Sequence, residues 1–369
     1  MQVAVLRENA PRESRVALTP ESAGRLVKAK VDVVVQRGAG ETAGFPDAAY
    51  TAVGARVGAD AGETTAGSRV VLKVLPPDDT EIALLESGAM LVSLMRPGQH
   101  ASIAGKLAAR GVTSLALELV PRITRAQSMD VLSSQATVAG YKAVLLGAGA
   151  LGKFLPMLTT AAGNIQPART FVIGAGVSGL QAIATARRLG AVVSAFDIRP
   201  AAREQIMSLG AAAIDSEVVS AAAETAGGYA REQTDDEQAR TMRTIAAHIT
   251  GVDLVITTAN IPGRQAPVLI RDDTVRQMRP GSVIVDLAAE NGGNCELTRV
   301  NETVRAHGVT ILGPANLPAT VPYHASQMFG RNVLALLQHL ITKEGVLVID
   351  PADEITGAML VTHEGRVLR

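Results

Sequence analysis

The chain has 369 residues, 47% of them hydrophobic but only 2% aromatic, with no tryptophan and 35 glycines. Its 35 basic and 35 acidic residues cancel to a formal net charge of zero, which argues against a nucleic-acid binder or a basic membrane-surface protein. A lone cysteine, Cys295, excludes an internal disulfide framework and fits a reducing compartment.

The length suits two domains of ~150 residues each. An aliphatic, glycine-rich composition favours an α/β protein with parallel strands and close helix–sheet packing. The N-terminal MQVAVLRENAPRESR shows no basic region followed by an apolar one, so no signal peptide is expected. The most apolar run, 143–157, is broken by Lys153 and Pro156. It falls short of the ~20 residues a membrane span needs.

In chain order, Val3–Leu6 predicts a short buried strand. Thr19-Pro20-Glu21 then supplies an N-cap, a proline at the first helical position and an acid in the first turn. A helix over 21–29 follows, then alternating strands and helices: strand 31–36, strand 70–74, helix 79–86, strand 90–94, helix 102–109 and strand 112–117. That alternation predicts a parallel sheet. A long helix starting near Leu132 is expected to cross between lobes. A second α/β unit begins at Arg169, with strands over 170–173, 192–196, 254–257, 282–286 and 309–312. Residues 325–340 predict an apolar-periodic helix, and 359–368 a hairpin turning at Glu364-Gly365 and returning to the first lobe. Between Glu217 and Arg240 the small, polar sequence suits a surface loop or the start of a helix.

The pattern G-x-G-x-x-G occurs twice, at Gly147/Gly149/Gly152 and at Gly174/Gly176/Gly179. Context separates them. The second copy follows the strand ending at Ile173, precedes the helical run 180–189, and leads to a strand ending at Asp197. This is the dinucleotide fingerprint. Gly174 makes the tight turn, Gly176 admits the pyrophosphate to the helix N-terminus, and Gly179 permits helix–strand contact. Asp197 can accept from a ribose hydroxyl and would repel a 2′-phosphate, which favours NAD over NADP. Arg199 weakens that preference. Val177 and Ile198 flank these positions. The first copy has no acid at the right distance, and small residues on a helix packing face explain it better. Asn260, with Ala259 before it, follows the strand 254–257 at the height where a doubly wound sheet meets a nucleotide. Asp286 ends the next strand as either a ligand contact or a structural cap.

Around this fingerprint, RENAPRESRVALTPE at 7–21, PRITRAQSMDVLSSQATVAGY at 121–141, AETAGGYARE at 223–232, ITTANIPGRQAPVLI at 256–270 and GSVIVDLAAENGGNCE at 281–296 closely resemble the NAD(H)-binding alpha subunits of proton-translocating NAD(P) transhydrogenases. The resemblance implies two Rossmann-like lobes with parallel sheets joined by long linking helices. The first covers 1–133 and is completed by 322–369; the second, NAD(H)-binding, covers 134–321. It also implies a homodimer, NAD(H) on this chain, NADP(H) on a separate beta component, a membrane-embedded proton channel, and a cytoplasmic location at the membrane through those partners. In the polar run 121–135, Arg122, Gln127, Asp130 and Ser133 match the loop around the dihydronicotinamide. Gln127 would reach toward the second nicotinamide, Arg122 and Ser133 would orient the carboxamide and phosphates, and Asp130 would hold Arg122 or the carboxamide. Gly228 and Tyr229 match a flap that closes over nucleotide. Direct hydride transfer needs no general base, in keeping with a loop devoid of histidine, lysine and cysteine. The residue-level alternative is a solvated linker with ordinary helix capping by Asp130 and Ser133.

Alanine dehydrogenase is the more distant relative and the rival enzyme. Arg15 and Lys73 stand where that family holds its keto acid, or else support the fold through local ion pairs. Its catalytic histidine is matched by Met95 and its aspartate by Glu290, so both departures count against amino-acid oxidation. His100 and the other histidines (His248, His307, His324, His339, His363) are expected to be structural. A purely NAD(H)-sensing module is a third possibility. No metal site is expected, since no ligand spacing is present.

Overall fold

A computed structural model describes residues 1–216, 219, 231, 233–260, 264–342 and 344–369. In chain order its strands are β1 (Gln2–Val5), β2 (Asp32–Gln36), β3 (Arg56–Gly58), β4 (Val70–Leu72), β5 (Met90–Ser93), β6 (Thr113–Ala116), β7 (Leu158–Thr160), β8 (Gly163–Ile165), β9 (Arg169–Ile173), β10 (Val192–Phe196), β11 (Ala212–Ala213), β12 (Leu254–Thr257), β13 (Val283–Asp286), β14 (Thr303–Ala306), β15 (Val309–Leu312), β16 (Leu360–His363) and β17 (Arg366–Val367). The chain divides into two compact units, Met1–Gln135 with Pro318–Arg369, and Ala136–Leu317.

In the first unit an eight-stranded sheet runs β17-β16-β6-β5-β4-β1-β2-β3. The six strands from β6 to β3 are parallel, and β16 joins β6 antiparallel. Val3 and Val5 pack into one apolar cluster while Ala4 and Leu6 pack into another. Alternation therefore sends successive β1 side chains to opposite faces, and both faces are covered, as parallel strands require. The C-terminal hairpin turns through Glu364 and Gly365, both at positive φ, and adds an antiparallel edge to this sheet.

In the second unit a seven-stranded sheet runs β11-β10-β9-β12-β13-β15-β14. It is parallel throughout except for the edge strand β14, antiparallel to β15. Val172, Leu254, Ile256 and Val283 face one cluster; Phe171, Ile173, Val255 and Ile284 face the other. The sheet core is parallel as expected, but both sheets carry antiparallel edges, and the short β7–β8 hairpin stands apart as a two-stranded sheet.

The helix Val131–Ala150 crosses the boundary between the units along the chain, whereas the helix Pro322–Leu340 lies wholly in the first. The first glycine pattern falls in and just after Val131–Ala150. A Cβ on Gly147 would sit 2.5 Å from Leu254 Cδ1, while Gly149 and Gly152 face nothing within 4 Å. Of the three, Gly147 alone is therefore closely packed among the described residues. No helix among the described residues is long and apolar enough to cross a membrane.

Candidate functional site

In the second unit β9 lies between β10 and β12. The chain leaves β9 toward β10 on one side and resumes at β12 on the other. This makes the carboxyl ends of β9 and β12 the switch point at which doubly wound sheets bind ligands. Gly174 begins the turn there, with φ at 92°. A Cβ on it would meet the Thr258 hydroxyl at 2.5 Å. That hydroxyl donates to the carbonyls of Ile173 (3.2 Å) and Gly174 (3.1 Å), and the Thr258 N–H donates to Ile173 O at 2.8 Å. The turn after β9 is thus stapled to the end of β12. A Cβ on Gly179 would fall 1.9 Å from the Gly174 carbonyl oxygen, so the helix Val177–Arg188 packs onto the turn with no room for a side chain. Gly176, its N-cap, has open space within 4 Å of the point where a Cβ would sit. The first turn of that helix holds no acidic residue and no side-chain cap. Its N-terminal N–H groups and partial positive charge suit a pyrophosphate. The residues present therefore fit a dinucleotide.

Asp197 follows β10 and is nearly buried. Its Oδ2 accepts from the Ala175 N–H (2.7 Å) and Arg199 Nη2 (2.8 Å), and its Oδ1 from the Arg199 N–H and Nε, both at 2.9 Å. Ile198 and Val177 border the same turn, Val177 with 39% of its surface exposed.

Asp286 is fully buried and is a structural hub. It accepts from Thr257 Oγ1, the Ala288 N–H, the Asn294 and Cys295 N–H groups and Thr298 Oγ1, at 2.7–3.0 Å. This decides between its two sequence readings in favour of the structural one. It organises the loop that carries Asn294, whose amide grips Ala259 and also donates to Pro267 O. Asn260 is exposed, its Oδ1 accepting from Asn291 Nδ2 at 3.0 Å. Asn294 escaped the sequence analysis. Its signal was a buried-type position next to a Gly-Gly pair, uninterpretable without the partner strand. Gly228 and Tyr229 lie outside the described residues.

In the first unit the 121–135 run forms a 3-10 helix, Thr124–Met129, anchored by buried Ala126 and Met129. Gln127 points outward, exposed, and its side-chain amide has no hydrogen-bond partner among the described residues. Arg122 is also exposed. Asp130 accepts from the Ser133 N–H at 2.9 Å and the Ser133 hydroxyl at 2.6 Å. The pair caps the helix Val131–Ala150, which is compatible with a second role in the loop. Asn332, on the helix Pro322–Leu340, donates to Ser128 O (2.7 Å) and accepts from Ser134 Oγ (2.6 Å), fastening the C-terminal half of the run. This residue too was missed. A lone amide on the apolar side of a helix was its signal.

Arg15 and Lys73 are committed to buried ion pairs. Arg15 forms a two-pronged bond to Glu13 (2.6 and 2.8 Å) and donates to Gln135 Oε1 at 2.8 Å. Lys73 donates to Glu81 at 2.6 Å and lies 3.7 Å from Glu8. Burial pushes the Glu8 carboxyl up to about 7 against the pull of Lys73. Met95 is buried in the core beside Ser93, whose hydroxyl donates to its sulfur. Glu290 is exposed and accepts from the Asn316 N–H. Four histidines have polar partners: His248 with Ser194, His307 with Asp272, His339 with Asp353 and His363 with Thr113. No group of three or more metal-ligating residues occurs among the described residues.

Residues 4–139 match the family described as Alanine dehydrogenase/PNT, N-terminal domain, and residues 143–369 match Alanine dehydrogenase/PNT, C-terminal domain. The chain is 43% identical to an NAD(P) transhydrogenase subunit alpha protein of Rhodospirillum rubrum, over 100% of this chain and 98% of the relative. It is 31% identical to alanine dehydrogenase of Halomonas elongata, over 100% and 94%. The solved structure of transhydrogenase from Sinorhizobium meliloti superimposes with a TM-score of 0.91 at 43% identity, covering both chains fully. With both family domains matched and full-length relatives at this identity, the chain belongs to the alanine dehydrogenase/PNT family, and it is more similar to these transhydrogenase proteins than to the alanine dehydrogenase.

Proposed function

We propose that this chain is the NAD(H)-binding subunit of a Re/Si-specific, proton-translocating NAD(P)+ transhydrogenase. In that reading NAD(H) is bound here and NADP(H) on a partner beta subunit. The observation that carries it is the glycine turn at the β9/β12 switch point, within a chain whose full length matches transhydrogenase alpha subunits. Gly174, Gly176 and Gly179 would receive the pyrophosphate, and Asp197 a ribose, with Val177, Ile198, Arg199, Gly228, Ala259 and Asn260 around them.

The nucleotide supplies the hydride. The chain's own residues bind, orient and exclude water. Holding two nicotinamide carbons ~3–3.5 Å apart is the whole requirement of such a transfer. Amides, hydroxyls and fixed charges suffice, so Arg122, Gln127, Asp130, Ser133 and Tyr229 are assigned to it. Gln127 is supported by its exposed amide, which has no partner among the described residues. Proton translocation belongs to a membrane component, and this chain would meet the membrane only through its partners. The exposed β7–β8 hairpin, flanked by exposed Phe154 and Met157, supports a homodimer, because an isolated two-stranded hairpin is marginal in water.

The alanine dehydrogenase reading is disfavoured by the buried Met95 at the histidine position. The test mixes the purified chain with the NADP-binding component of the same organism and follows reduction of an NAD analogue by NADPH. L-alanine with NAD+ is given to the chain alone in parallel. Transfer only in the mixture is expected; alanine-dependent NADH formation by the chain alone would replace this reading with the rival.

A further inference from the structure

The geometry points to Arg199 as a selectivity-determining residue that competes with the nucleotide ribose for Asp197. This deepens the nucleotide site proposed above and rests on it. A carboxylate offers about four acceptor positions. At Asp197 all four are taken: two by the backbone N–H groups of Ala175 and Arg199, and two by Nε and Nη2 of the Arg199 side chain.

The two backbone donors belong to the turn itself. The two guanidinium donors form a parallel fork, one to each oxygen. A ribose diol presents the same arrangement, two adjacent donors for the two oxygens of one carboxylate. Ribose and guanidinium therefore cannot both hold Asp197 in this way. Binding of an unmodified ribose must first break a charge-assisted pair whose side chains are only 15% and 7% exposed, and such bonds are among the stronger in proteins.

The second consequence concerns charge. Arg199 is tethered two residues from Asp197, so a displaced guanidinium stays beside the ribose edge. It then favours a 2′-phosphate, the group that an unpaired Asp197 would reject. Arg199 thus weakens NAD(H) binding and softens the rejection of NADP(H). Asp197 alone would do neither. The carboxylate sets the sign of the preference and the arginine limits its size.

The experiment compares Arg199→Ala and Arg199→Lys with the wild-type chain by titration with NADH and with NADPH, after thermal unfolding has shown that each variant is folded. Arg199→Ala is expected to tighten NADH by about five- to twentyfold and to leave NADPH unchanged or weaker, widening the preference. Arg199→Lys, keeping the charge but losing the fork, should tighten NADH by less and hold NADPH near wild type. An Arg199→Ala chain that is folded and binds NADH no tighter overturns the inference. On the wild-type chain, the Nε–H resonance of Arg199, assigned through its bonds from the Arg199 backbone, should be protected from exchange and lose that protection on saturation with NADH. Persistence of the protected resonance in the NADH complex also overturns it, even if both variants fail to fold. A wild-type chain that binds neither nucleotide is a different failure: it removes the nucleotide site and this role together.

Discussion

Asn294 holds Ala259 by both of its backbone groups: its side-chain oxygen accepts the Ala259 N–H at 3.0 Å and its nitrogen donates to the Ala259 carbonyl at 2.8 Å. Asn294 is itself fully buried, and its N–H is bound by Asp286. The chain leaving β12 at the switch point is therefore fixed by a side chain 35 residues away in sequence. Replacing Asn294 with alanine strands these groups, and each buried unsatisfied polar group costs about 1–3 kcal/mol. Asn294→Ala should lower the unfolding free energy in urea by about 2–4 kcal/mol and weaken NADH binding. Asn294→Asp should be no better, since a carboxylate cannot donate to the Ala259 and Pro267 carbonyls. Wild-type urea midpoints in both would show that the clamp contributes nothing.

The two glycine patterns make opposite predictions. Gly179→Ala places a Cβ 1.9 Å from a backbone oxygen that cannot swing aside. It should abolish NADH binding and destabilise the unit by about 1–3 kcal/mol or more. Gly149→Ala and Gly152→Ala meet nothing within 4 Å. They should leave NADH binding intact and stability unchanged or raised by up to ~1 kcal/mol, Gly149 lying within a helix. Loss of binding in the latter pair would return the first pattern to the set of nucleotide contacts.

Glu8 makes the stability of the first unit depend on pH. Its folded value of about 7 lies above the ordinary 4.5, chiefly because it is buried. The folded state therefore holds its proton more tightly than the unfolded state does. The resulting stabilisation is fully present below pH 4.5 and is lost as pH rises through 7. Its size is on the order of 3 kcal/mol. Glu8→Gln should flatten the decline between about pH 4.5 and 7 in denaturant unfolding, gaining on wild type above pH 7. Parallel curves for the two proteins would mean that another group sets the dependence.

The 121–135 run can be divided by function. Gln127→Asn shortens an exposed amide with no structural partner among the described residues, so folding should be untouched. In the reconstituted mixture it should slow hydride transfer by about tenfold or more, with NADH affinity changed by less than about threefold. Equal losses in both would remove Gln127 from the transfer step. Asp130→Ala should cost about 1 kcal/mol through the lost helix cap, which Asp130→Asn preserves. If Asp130→Asn keeps full transfer, Asp130 is a cap and nothing more.

The periodic apolar runs were legible without coordinates. The strands over 192–196, 254–257 and 309–312 are found at the expected residues, because strands of a covered parallel sheet are mostly apolar. Turn chemistry was equally legible at Glu364-Gly365. The exposed strands were not: no residue of β7, β8 or β14 is buried, so no apolar run marks them. The amino-acid sequence by itself determined the parallel α/β architecture and which of two identical glycine patterns opens a helix after a strand. Both follow from local chemistry within ~30 residues. Only the tertiary structure decided what the polar side chains do. It buries Asp286 as a hub, commits Arg15 and Lys73 to Glu13 and Glu81, sets Asn294 on Ala259 and closes the Arg199 fork on Asp197. A polar residue's role is set by its partner. Even where that partner is two residues away, as for Arg199, the folded backbone decides whether the groups meet.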